Sequence, residues 1–501
     1  MKACFVMQSL YSRGLHAIAL ILKEKYGVNE FCAYISTPWA EKFIKNQTDI
    51  NYDPILVDHE IHAKFKQEKI DLPYLKYFEE TYAPPNAWLY LYRDRKLMLS
   101  MGPKEESTSI IDPLYPHEGL MKAFQVRAKA IESMLKEAKP NFILFFTIGS
   151  ISQLLIFHIA KKLGIKTFNL DFGRIRNKIN ISEDYKTLTG VEEEFKKFQK
   201  EKNPAAYRNE ASKIIDNFRK TGSLNLEYVE TEKSLTLQNK SMPKMIKALN
   251  FIKFIFNFLI NYIKYRHLFL YHTWNQNPLL FIFYKLKRQY RSMRGLSDLY
   301  SKLNFEEDYA FFALHYEPEQ SIQTLSPFYF DQTAVIGYIA RSLPLHYKLY
   351  VKEHPSMINA RPRKFYKELL KIPSVKLINQ KIGSFEIIKH SKLVATITGT
   401  AGWEAVLLDK PVITFGNVFY NNLSCVKRVR EIENLPNIIN EQLYNFKPDE
   451  EEIVDIVAAI LKDSVDLNYS SLRTENDLEK IENDKDINNF CEALMKKARQ
   501  D

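Results

Sequence analysis

The sequence predicts an α/β protein with two Rossmann-like domains facing a cleft and a helical insertion between them. Three observations carry this. Over 116–170 and again over 308–415, short apolar runs of strand length alternate with stretches of helical spacing, the pattern of a parallel sheet with helices on both faces. Between these stretches, over 184–300, the rhythm fails. At 501 residues the chain is also too long for one ordinary core.

The first domain is expected over 1–183. Ala3–Met7 is an apolar strand, Gln8–Gly14 a polar loop closing on glycine, Leu15–Tyr26 a helix and Glu30–Ile35 a strand. Helical, aromatic stretches follow at Phe65–Glu80 and Asn86–Met101. Then come a helix from Pro116 to Lys139, a strand Phe142–Phe146, a turn at Gly149 and Ser150, a helix Ile151–Leu163 and a strand Thr167–Leu170.

The insertion or linker is expected over 184–300. Residues 184–240 are charged and helical, and 242–294 is apolar and basic. Between Asn250 and Lys264 the polar positions are 250, 253, 257, 261 and 264, a spacing of three and four that puts them on one narrow helical stripe. No stretch of about twenty residues lacks polar groups, which excludes a membrane-spanning helix. The flanks carry Lys264, Arg266, Lys285, Lys287, Arg288, Arg291 and Arg294. Two readings stand: a helix pair buried between domains, or an in-plane anchor on an anionic membrane surface.

The second domain is expected over 301–470. Its strands are Ala310–Leu314, Lys348–Val351, Val375–Leu377, Leu393–Ile397 and Pro411–Phe415; helices lie between them and at Glu450–Lys462. Residues 471–501 form a charged tail with a helix over Asn488–Arg499.

Composition narrows the function. The chain is 46% hydrophobic and 26% charged, as folded proteins are. Cys4, Cys32, Cys425 and Cys491 are scattered, with neither metal-ligand nor disulfide spacing. With a first strand where a leader would stand, this reads as a cytoplasmic protein. The net charge of +11 points to phosphate-bearing substrates or anionic lipid; no nucleic-acid-binding motif is present. No Asp-x-Asp pair stands at a strand end, so neither metal nor cofactor is expected.

Ligands of open parallel sheets collect at the C-terminal strand ends, where three polar clusters fall. They are His315, Glu317 and Glu319; Lys352 and His354; and Thr398, Gly399 and Thr400, which open a helix containing Glu404. A phosphate group suits this rim: His354, the two threonine hydroxyls and the helix's first N–H groups donate to it. Glu404 is placed to accept from ribose hydroxyls. If a group is transferred from a phosphate-bearing ligand at that rim, the first domain should hold its acceptor and a carboxylate for acid–base or nucleophilic work. Asp171 lies just past a strand, and Asp94 stands between Arg93 and Arg95, where a structural ion pair is the alternative. Ser9 and Arg13, in the first loop, are candidates for acceptor binding.

Lys352-Glu-His-Pro355 together with Thr398-Gly-Thr-Ala-Gly-Trp-Glu404-Ala-Val-Leu-Leu-Asp-Lys-Pro-Val412 resembles the capsule polysaccharide biosynthesis family. That family includes bacterial β-Kdo transferases of the GT-B fold that use CMP-Kdo. The resemblance covers roughly 308–420 and implies that His354 and Thr398 or Thr400 contact the nucleotide phosphate. It implies a glycosyltransferase moving a sugar from a nucleotide sugar to a surface polysaccharide or glycolipid, peripheral to the inner face of the cytoplasmic membrane. Two rivals remain: a UDP-sugar 2-epimerase on the same fold, and a non-catalytic partner in a polysaccharide assembly complex.

Overall fold

The computed structural model describes the chain except 84–85, 99–112, 173, 202–204, 318, 501 and, within 225–277, all but residues 253, 256–257, 259–260 and 263. Two sheets organise it. The first has the order β13-β6-β5-β4-β1-β2-β3, with β1 Lys2–Met7, β2 Glu30–Ile35, β3 Tyr52–Val57, β4 Phe142–Phe145, β5 Lys166–Phe172, β6 Lys178–Ser182 and β13 Ser464–Asp466. Strands β1 to β5 pair in parallel, while β6 and β13 join antiparallel at one edge. The second sheet has the order β12-β11-β10-β7-β8-β9 and is parallel throughout: β7 Tyr309–Ala313, β8 Lys348–Lys352, β9 Val375–Ile378, β10 Leu393–Thr396, β11 Val412–Thr414 and β12 Val426–Arg428. These are the two Rossmann-like halves expected from the sequence.

The central strands are nearly continuous apolar runs because both faces are covered. Ala3 to Met7 and Leu393 to Ala395 are fully buried. In each sheet the chain order reverses beside the first strand, between β1 and β4 and between β7 and β10. Such switch points open a crevice at the strand ends.

Local chemistry sets the helix starts. Ser150 accepts from the Gln153 N–H while the Gln153 side chain takes the Ser150 N–H, a capping box that opens helix Ile151–Lys162. The helix expected from Phe65 begins instead at Leu72. Asp71 Oδ1 accepts from the Tyr74 N–H (3.0 Å) and Pro73 stands in the first turn, so the start is fixed there.

The chain crosses between lobes more than once. Helices Thr189–Glu201 and Ala205–Thr221 carry apolar stripes, Val191, Phe195 and Phe198 on the first. These stripes lie in one core with Tyr309, Trp403 and helix Glu450–Asp463 of the second lobe. Beyond Asp463 the chain returns: β13 pairs with β6, and Leu472, Ile487, Phe490 and Leu494 enter the core of the first lobe with Leu15, Ile18 and Leu22. Gly14 permits the closest approach, since a Cβ there would lie 2.7 Å from the Leu472 carbonyl oxygen. The charged tail is therefore part of the first lobe's core, joined through the apolar face of helix Lys485–Arg499.

Most of the expected block 242–294 lies outside the described residues. Its last part is helix Pro278–Arg294. Among the described residues, no helix is long and apolar enough to cross a membrane.

Leu494→Ala should lower unfolding free energy by about 2–5 kcal/mol, as cavity formation in a core does, measured by denaturant titration. A loss below about 0.5 kcal/mol would mean the last helix is not part of that core.

Candidate active site

The second sheet's switch point is built around His315, just beyond β7. Its N–H donates to Gln332 Oε1 (2.7 Å), and its carbonyl accepts from Gln332 Nε2 (3.3 Å) and Arg361 (2.9 Å). The ring reaches across to the loop after β10. His315 Nε2 accepts from the Thr398 N–H (3.2 Å) and lies 3.2 Å from Thr396 Oγ1, which in turn accepts from the Gly399 N–H (2.9 Å). A neutral ring accepting at Nε2 carries its proton on Nδ1. Burial enforces neutrality by driving the His315 pKa down to about 3. Gly399 has no room for a side chain: a Cβ would lie 2.8 Å from Thr396 Oγ1 and 2.9 Å from His315 Nε2.

This knot revises the expected phosphate cradle. The Thr398 and Gly399 N–H groups are consumed inside the turn, so they cannot serve a ligand. His315 shapes the turn. What remains at the opening of helix Thr400–Leu407 is the Thr398 hydroxyl, buried and without a hydrogen-bond partner, and the N–H groups of Thr400 and Ala401. Tyr420 OH closes the turn by donating to the Gly399 carbonyl (2.9 Å).

Beyond β8, Glu353 is buried and used internally: it accepts from Arg361, from Tyr366 OH (2.6 Å) and from the His354 N–H (2.6 Å). Arg361 also pairs with Glu317 (3.0 Å). Glu317 thus holds Arg361. His354 Nδ1 accepts from the Ser356 N–H (3.2 Å), which leaves the proton of the neutral ring on Nε2, a donor for a phosphate oxygen. Burial lowers the His354 pKa, partly offset by Glu353. Lys352 Nζ donates to Ser384 Oγ (2.8 Å), and burial lowers its pKa. Glu404 faces Lys352; burial raises its pKa to about 7, against the opposing pull of that lysine.

Across the cleft, Asp171 lies near the end of β5, about a third exposed (31%), with its pKa raised by burial and Arg174 Nη2 3.9 Å away. Arg174 also bears on Glu319 and Tyr420 of the second lobe. Burial raises Glu319 too, with Arg95 and Arg174 as opposing charges. Asp171 and Glu319 therefore approach one cleft from opposite lobes, sharing Arg174.

Two expectations for the first domain change. Asp94 is buried and structural: Oδ1 accepts from the Leu97 N–H (3.0 Å) and Oδ2 from the Ile151 N–H (2.9 Å), which fastens two helix starts. Arg13 lies along the surface of the first lobe, 5.0 Å over the Trp39 ring and donating to Asn476, so its guanidinium is already engaged. Ser9 lies in a short 3-10 turn, and its side chain is outside the described residues. One group of possible metal ligands occurs among the described residues, Glu41, His59 and Glu60. Lys45 pairs with both of its carboxylates, 2.5 Å from Glu41 and 3.8 Å from Glu60.

Comparison with known proteins agrees with the motif resemblance. Residues 229–426 match the family model described as capsule polysaccharide biosynthesis protein. Over that span the chain is similar to the capsule polysaccharide biosynthesis family. Protein FixF of Sinorhizobium fredii is 37% identical over 105 residues, which is 20% of this chain and 23% of that protein; the chain thus spans about a quarter of the curated relative it matches. Among solved structures, the β-Kdo 2,7 transferase KpsC of Thermosulfurimonas dismutans is similar at 14% identity and a TM-score of 0.36, covering 66% of this chain and 80% of that one. UDP-GlcNAc 2-epimerase of Neisseria meningitidis, bound to UDP-GlcNAc, is similar at 12% identity and a TM-score of 0.23, covering 92% and 99%.

Glu404 gives a pH signature. Its folded pKa, about 7, lies above the ordinary 4.5, so folding takes up a proton between these values. Its contribution is present below pH 4.5 and is lost as pH rises through about 7. Glu404→Gln should therefore stabilise the protein by about 1–3 kcal/mol at pH 8.5 relative to the wild type and change little at pH 4.5. Equal melting temperatures at pH 8.5 would show that Glu404 is not held in a site that disfavours its charge.

Proposed function

We propose that the chain is a glycosyltransferase of the GT-B kind, moving a sugar from a nucleotide-sugar donor to a surface polysaccharide or glycolipid acceptor. The observation that carries this is the placement of His354 after β8 and of Thr398 and the start of helix Thr400–Leu407 after β10, the two strands that flank β7 in the second sheet. The match of residues 229–426 to the capsule polysaccharide biosynthesis family model supports the same reading. His354 Nε2–H, the Thr398 hydroxyl and the Thr400 and Ala401 N–H groups donate to the donor's phosphate, where negative charge grows as the nucleotide departs. Glu404 and Lys352, one turn deeper, take the ribose hydroxyls. Asp171 faces this rim from the first lobe, with a carboxyl raised by burial; it withdraws the proton of the attacking acceptor hydroxyl or attacks the sugar itself. The donor is CMP-Kdo-like or another nucleotide sugar.

The same reading places the enzyme on an anionic membrane surface. Helix Pro278–Arg294 is moored beside the His354 loop: Arg288 donates to the Ile358 carbonyl (3.3 Å) and Arg291 to the Ala360 carbonyl (2.5 Å). Its stripe of Phe283, Leu286, Tyr290 and Met293, at spacings of three and four, is 55–73% exposed. An exposed apolar stripe flanked by arginines suits the headgroup boundary and would bring a lipid-linked acceptor to the donor rim.

Two experiments test these statements. His354→Ala should cut sugar transfer by about a hundredfold or more, the scale of losing one donor to a developing charge, with the melting temperature nearly unchanged. Unaltered turnover would sink the donor-site assignment, and release of an epimerised nucleotide sugar without acceptor would identify epimerase chemistry. The double substitution Leu286→Asp/Met293→Asp should abolish flotation with vesicles containing anionic lipid; flotation equal to wild type would refute the membrane face.

A further inference from the structure

The cleft holds a second cluster of charge, apart from the donor rim, that none of the roles above uses. Tyr185, just beyond β6, is its platform: Arg93 Nη1 donates to Tyr185 OH (3.4 Å), and Lys186 Nζ stands 5.4 Å over the Tyr185 ring. Tyr185 is buried against Phe157 and His158 of helix Ile151–Lys162. Arg428, exposed at the end of β12 in the second lobe, is near enough for its charge to act on Lys186.

Among the described residues, no carboxylate lies within ion-pair distance of Arg93, Lys186 or Arg428. Arg93 Nε is buried without a hydrogen-bond partner. Asp184 is the one acid that bears on Lys186, and its Oδ1 accepts the Lys186 backbone N–H (2.9 Å). The cations also act on one another. Burial, Arg93 and Arg428 all lower the Lys186 pKa, and Lys186 and Arg93 add to the burial that drives His158 to about 4. Half-buried Arg93 and Lys186, with an unsatisfied donor on Arg93 and the exposed Arg428 adding like charge, are costly unless an anion completes them.

We propose that Arg93, Lys186 and Arg428 form a second anion-binding site spanning the two lobes, taking a phosphate or carboxylate group of a bound ligand. Arg93 and Arg428 offer forked donors and Lys186 a point charge, the mixture that suits a tetrahedral or planar oxyanion. Such a ligand would meet positive charge from both lobes. The site itself rests only on the cleft's charges. That the ligand is the acceptor, making the acceptor an acidic glycan or a glycosyl phosphate, rests on the glycosyltransferase reading.

The test titrates inorganic phosphate and, as the carboxylate arm, glucuronate into the full chain at constant ionic strength by calorimetry. Arg93→Gln, Lys186→Gln and Arg428→Gln are compared with Lys186→Arg. Saturable binding of one probe is expected, weakened about tenfold by each Gln variant, as loss of a charge-assisted hydrogen bond does, and retained in Lys186→Arg. CMP, UDP and GDP titrations of the same variants should match the wild type. The proposal is overturned if the wild type binds neither probe, if all three Gln variants bind like the wild type, or if they lose nucleotide and probe together. A wild type that binds probe but no nucleotide would instead fail the donor reading and leave this site standing.

Discussion

Arg361 is the constraint on which the second lobe's rim depends. Its guanidinium is buried and reaches Glu317, Glu353 and the His315 carbonyl, so one side chain ties the loop after β7 to the loop after β8. The attraction of two carboxylates outweighs burial and raises the Arg361 pKa further. Removing one member of a buried pair of this kind costs about 3–5 kcal/mol, because the other charge is left stranded. The ring of His315, positioned by that clamp, then hooks the loop after β10 through the Thr398 N–H. Three strand ends become one rigid surface before any ligand arrives, which is what preorganised electrostatic stabilisation requires.

That rigidity has a cost in donors. A helix start offers its first N–H groups to an anion, but here the two N–H groups just before it, those of Thr398 and Gly399, are spent on His315 and Thr396. The site offsets this with His354, kept neutral by burial and oriented by the Ser356 N–H. It also keeps the Thr398 hydroxyl buried and unengaged. The facing carboxyls, Asp171 and Glu319, share Arg174 across the cleft. Closing or opening the lobes must therefore change the environment of both.

The sequence announced this architecture where its signals are local and periodic. Strands β1, β4, β7, β8 and β10 are apolar runs of strand length, and the polar residues following β7, β8 and β10 mark the rim. Other parts depend on partners distant in sequence. β3 contains Pro54, tolerated because β3 is an edge strand, and β12 and β13 are three residues long. The return of 464–499 to the first lobe shows only as an amphipathic helix, which does not name its partner. Arg361, in Asn-Ala-Arg-Pro-Arg, carries no local mark; the nearest hint is the pair of acids at Glu317 and Glu353 needing a cation. The arginines flanking Asp94 mark it as a structural ion-pair alternative to a catalytic role, but its backbone partners, Leu97 and Ile151, show only in three dimensions. The Arg93, Lys186 and Arg428 cluster draws on three separate elements, so no window of sequence contains it.

The central claim is that the His315 and Thr396 knot preforms a nucleotide-binding rim, and Gly399 is its most sensitive point. Calorimetric titration of CMP, UDP and GDP into the wild type and into Gly399→Ala tests it. One nucleotide should bind the wild type and raise its melting temperature, since a ligand of the native state must stabilise it. In Gly399→Ala, whose methyl would press on His315 and Thr396, that binding should fall at least about tenfold in a chain that still melts cooperatively. Equal nucleotide binding by both proteins, or no nucleotide bound by the wild type, would contradict the account.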